Sequence, residues 1–145
     1  MNRNVDCFFV FSSEEASQKL VNQFRESDLV NQVYVLVKKP VILSNCEQIL
    51  VEENASCSSI RQIAKLVRSD YALLALGDSV VELGQGAVER LIQVADQTEA
   101  PMIYADYFEF ADGKLIPHPV IDYQLGSLRD DFNFGSLLFF ATKVL

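Results

Sequence analysis

A chain of 145 residues, half of them hydrophobic, can bury one sizeable core, and a single folded unit over residues 1–145 is expected. Its 12 basic and 20 acidic residues leave a formal charge of -8 with no long basic cluster, which argues against nucleic-acid binding. Three cysteines without C-x-x-C spacing fit a reducing, cytoplasmic setting, and the opening "MNRNVDCFFVF" is too short and too polar for a secretory signal, so no membrane segment is expected in this chain.

In chain order, "VDCFFVF" at 5–11 is an apolar run that predicts a buried strand. In "SSEEASQKLVNQF", Ala16, Leu20, Val21 and Phe24 recur on one helical face, and Ser12 with Glu15 has the S-x-x-E spacing that satisfies the orphan amides of a first turn. A strand "QVYVLV" at 32–37 follows, then "KKPVILSNCE", where irregular structure or a short helix is expected, then a strand "QILVEE" at 48–53. "SSIRQIAKLVRS" repeats the helical spacing through Ile60, Ile63, Ala64 and Val67, and "GAVERLIQVADQ" through Val88, Leu91, Ile92 and Ala95. Between these helices "YALLAL" at 71–76 predicts a strand, as does "PMIYADYFEF" at 101–110 beyond them.

Several of these runs lack clean alternation, as expected of parallel strands covered on both faces. Strands alternating with helices predict an α/β fold: a three-layer sandwich around a mostly parallel sheet with Rossmann-like right-handed crossovers, its ligands outside the carboxyl ends of the strands. Asp112 and Gly113 in "YFEFADGKLIPHP" mark a tight hairpin, expected to extend that sheet. "VIDYQLGSLRDDFNFG" predicts a long loop, and the terminal apolar "SLLFFATKVL" needs a partner, as in the front part of a longer protein.

Several chemistries lack their residues. "GQGAVE" at 84–89 has Glu89 where a dinucleotide fingerprint needs its third glycine, and His118 is the only histidine, which leaves no nucleophile triad and no zinc set. Carboxylates at strand ends remain. Asp78 follows one predicted strand and Asp106 lies in the next; if those strands are neighbours, both border one crevice, where Mg or Mn is held by one or two carboxylates and substrate phosphates. The plainer alternative is that Asp78 begins a turn and Asp106 is solvated.

Taken in order, "LGD", "YAD", "ADGK" and "PHPVIDYQLGSLRDDFNFG" resemble the segments of family-two glycosyltransferases of the GT-A fold, most strongly over 70–140. The resemblance implies the nucleotide-sugar-binding half of an enzyme that transfers a sugar from a nucleotide-sugar to a hydroxyl on a glycan or lipid-linked acceptor, in cell-surface polysaccharide synthesis. By the same resemblance Asp78 matches the second aspartate of the D-x-D metal turn, with Leu76 in place of the first; Asp106 matches the aspartate of the "YsD" strand; and Arg61 pairs with a phosphate. Phe11 and Ser12 would border the base, although "FSSE" differs from the family's turn there and "VKKP" stands where an acidic base contact is expected. The family's catalytic base lies in a motif beyond Leu145. In "GSLRDDFNFG", Arg129, Asp130 and Asp131 either bridge one another to hold the loop or face the crevice, with Phe132 and Phe134 as anchors. A different class of function, a non-catalytic α/β interaction module that has lost metal-dependent nucleotide binding, is favoured by Leu76.

Overall fold

The fold comes from a computed structural model of the chain, and it is described for residues 3–120, 124–126 and 132–145. Three segments carry the α-helical period through buried positions: α1 (Glu14–Arg25), α2 (Cys57–Leu66) and α3 (Ala87–Thr98). α1 opens one residue later than its S-x-x-E spacing predicts. Ser13 is the N-cap and accepts the Ala16 amide, whereas Ser12 donates its own backbone amide to Ser17 Oγ. α2 is closed reciprocally, with the Ser56 hydroxyl accepting the Ser59 amide and the Ser59 hydroxyl accepting the Ser56 amide.

Eight strands accompany them among the described residues: β1 (Val5–Val10), β2 (Val30–Val37), β3 (Glu47–Leu50), β4 (Tyr71–Ala75), β5 (Met102–Ile103), β6 (Tyr107–Ala111), β7 (Lys114–His118) and β8 (Leu138–Ala141). Six form one sheet in the order β3-β2-β1-β4-β8-β5. The run from β3 to β4 is parallel, and β8 pairs antiparallel with both β4 and β5. The chain is thus α/β with a mostly parallel, mixed sheet. Residues 38–46 have no regular structure, as their composition predicts.

Adjacent side chains of β1 feed the two faces of the sheet, because a strand's period is two. Phe9 enters the layer built from Leu20, Val21 and Phe24 of α1 and from Val88, Leu91 and Ile92 of α3, while Phe8 stacks on Tyr34 at 4.8 Å in the layer that holds Ile63 of α2. Helices therefore cover both faces, which explains why the central strands lack polar alternation.

The terminal apolar run finds its partner inside the sheet. β8 inserts between β4 and β5, and Phe139, 1% exposed, packs against Tyr71 with ring centroids 4.9 Å apart. Two expectations are corrected here. The run 101–110 is broken after Ile103, and among the described residues the hairpin that follows does not extend the main sheet: there β6 and β7 pair only with each other. The turn itself is as expected, with φ of 51° at Asp112 and 74° at Gly113.

The amino end of the sheet is fastened by a buried carboxylate. Asp6, 1% exposed, accepts from Asn31 Nδ2, Ser69 Oγ, the Arg68 amide and the Ser69 amide at 2.8–3.0 Å. These bonds tie β1 to the start of β2 and to the turn that enters β4. Beside them the Tyr71 hydroxyl donates to Asp96 and accepts from Arg3.

Candidate functional site

After β1 the chain adds β2 and β3 on one side and then returns to place β4 on the other, so the sheet's order reverses between β1 and β4. In open α/β sheets, that switch point at the carboxyl ends is where loops diverge and leave a crevice. Four segments end there: residues 11–13 after β1, Lys38 and Lys39 after β2, residues 76–80 after β4, and residues 104–106 after β5.

Phe11 and Ser12 follow the end of β1. Phe11 is half-buried against the α1-side core and donates its amide to Leu36 O, so its ring is a wall and not a free contact; the Ser12 side chain is exposed. Asp78 is exposed and makes no hydrogen bond or ion pair with a described residue. Leu76 is half-buried and packs against the α2-side layer, so the position that a first metal carboxylate would take is part of the core.

No helix follows Asp78 directly. Residues 76–86 come first, and part of this stretch lies along α1: Lys19 Nζ meets Glu82 Oε1 at 2.6 Å, Gln23 accepts the Leu83 amide at 3.0 Å, and Val81 and Leu83 pack on the core. What remains between Ser12, Ser17 and Ser79 on that side is a cavity of about 10 Å³, room for about one water. Ser12, Lys38, Lys39 and Asp78 are exposed and follow β1, β2 and β4 at the carboxyl end of the sheet.

The strands that lead to Asp78 and Asp106 are not neighbours. β8 separates β4 from β5, which puts the two strand axes roughly 10 Å apart at ordinary strand spacing. Asp106 Oδ1 also accepts the Val120 amide at 2.8 Å and so closes the base of the hairpin. Arg61 is exposed in the first half of α2, on the outer layer. His118 is engaged on the hairpin, stacked on Tyr107 and 2.8 Å from Glu109. Arg129, Asp130 and Asp131 lie outside the described residues, while Phe132 and Phe134 pack edge-on to Tyr104 just past β5.

Among the described residues no three His, Cys, Asp or Glu side chains converge as a metal cage. A lone exposed carboxylate fits a cation held mainly by substrate phosphates, and it does not fit one held by protein ligands alone. Lys38 and Lys39 are the feature that residue-type reasoning undervalued. Paired at the end of β2, one strand from Ser12 and two from Asp78, they bring positive charge to the switch point of a chain with formal charge -8. Their adjacency was visible in the sequence; their position beside β1 needed the sheet order.

A scan against protein-family models finds no match for this sequence, and no curated protein matches it.

Proposed function

We propose that the carboxyl-end crevice binds the diphosphate of a nucleotide-sugar, and that the chain is the donor-binding region of a GT-A-type glycosyltransferase serving a glycan or lipid-linked acceptor. The observation that carries this reading is the strand-order reversal between β1 and β4, with Ser12, two lysine ammoniums and Asp78 exposed around it. A pyrophosphate approaching an acidic chain needs local positive charge, which Lys38 and Lys39 supply; Asp78 would hold the Mg or Mn that a departing diphosphate recruits. When bound, that cation neutralises charge on the leaving group. Phe11 would limit the crevice beneath the base, and Arg61 and Asp106 would contribute from its margins.

The second reading, an interaction module without nucleotide binding, is favoured by the half-buried Leu76 and by the engagement of Asp106 with Val120. Titration with uridine, guanosine and thymidine diphosphate sugars, with and without manganese, separates the two. Metal-dependent amide shifts around Asp78 and Lys38, lost in Asp78→Ala, support the donor site. An unperturbed spectrum for every nucleotide in the folded chain favours the module.

A further inference from the structure

The register of the hairpin sorts its side chains into two faces of opposite character. Tyr107, Glu109 and Ala111 share one face with Lys114, Ile116 and His118; Phe108 and Phe110 share the other with Leu115 and Pro117. All the charged strand residues are thus on the first face and none on the second. In a solvated two-stranded sheet the apolar face packs on the protein and the polar face meets water. Here the order is inverted. The polar face is the fastened one: Tyr107 lies over Gly135 and accepts from Asn133 Nδ2 at 3.0 Å, and it stacks on His118, which pairs with Glu109. On the apolar face Phe108 is 68% exposed, Phe110 73% and Leu115 67%.

We infer that this outward face is a docking surface for the interfacial region of a zwitterionic lipid bilayer. Its size and charge decide between occupants. At these exposures two phenylalanines and a leucine present on the order of 400 Å² of apolar surface, about half of what each partner contributes to a stable protein dimer. A bilayer requires no matching partner surface, and binding to it scales with whatever apolar area is inserted. The formal charge of -8 disfavours an anionic membrane, so the surface fits neutral headgroups. Among the described residues no helix is long and apolar enough to cross a membrane.

Flotation of the full chain with phosphatidylcholine vesicles tests the surface. Native chain floats with the vesicles; Phe108→Ser combined with Phe110→Ser lowers the partition coefficient about tenfold or more, while Ile116→Ser on the opposite face leaves it unchanged. Far-UV circular dichroism establishes that each variant is folded, and the nucleotide titration is unaffected by all three substitutions, so this inference and the donor-site proposal fail separately. The inference is overturned if the native chain stays with the soluble fraction, if it binds phosphatidylglycerol vesicles only, or if Ile116→Ser costs as much as the double variant. It is equally overturned if sedimentation velocity shows a dimer that the double variant dissolves, because the occupant is then a second copy.

Discussion

Two aspartates at opposite ends of the same sheet show how differently one residue type is used. Asp6, at the amino end, is buried and accepts four hydrogen bonds from two segments; Asp78, at the carboxyl end, is exposed and unbonded to any described residue. A carboxylate removed from water is tolerated only where its lone pairs are filled, so the amino end has become a fixed joint. The carboxyl end keeps its polar groups in water, available to a ligand.

The largest break in this contrast is expected from Asp6→Ala. It deprives the Ser69 hydroxyl, the buried Ser69 amide, the Arg68 amide and Asn31 Nδ2 of their acceptor and should lower unfolding stability by about 3–5 kcal/mol in urea titration; a loss under 1 kcal/mol would mean that the joint is not a unit. Next comes alkaline pH. Burial raises the Cys7 thiol well above its ordinary value of about 9, and burial followed by the Asp96 hydrogen bond raises the Tyr71 phenol. Both groups are neutral in the folded chain, so their contribution is complete below about pH 8, under both unfolded values, and is lost as pH rises toward the folded ones. Cys7 alone sets a slope of about 1.4 kcal/mol per pH unit above its unfolded value, measurable as a falling urea midpoint.

Smaller effects sharpen the carboxyl end. Ser13→Ala should cost about 1 kcal/mol as a lost cap, whereas Ser12→Ala should cost a few tenths at most; equal losses would return the cap to Ser12. Asp78→Ala should change stability by less than about 0.5 kcal/mol, since it removes no packing and no bond, while weakening manganese-dependent nucleotide binding at least about tenfold. A stability loss comparable to that of Asp6→Ala would show that the two ends are not distinct in kind.

Much of the scaffold was legible before folding. Leu20 with Phe24, Ile63 with Val67, and Val88 with Ala95 announce their helices because helical neighbours lie close in sequence, and Phe8 with Phe9 marks a strand covered on both faces. The site was legible only in part. Ser12 and Asp78 were found as strand ends, but pairing Asp78 with Asp106 assumed that consecutive strands are neighbours, and β8 arrives from about 35 residues downstream to separate them. Similarly, "VKKP" looks like a missing acidic contact until the sheet order places its lysines beside β1.

The sequence by itself determined where the three helices and the first four strands lie, which of their faces are apolar and that Asp112-Gly113 turns the chain, because each depends on side chains within a few residues of one another. Only the tertiary structure decided that β8 enters the sheet, that the hairpin stands apart with its apolar face outward, and that Asp6 is a joint while Asp78 is not. Those outcomes depend on hydrogen-bond partners and packing distant in sequence, and strand registers and buried lone pairs are settled only when such segments meet.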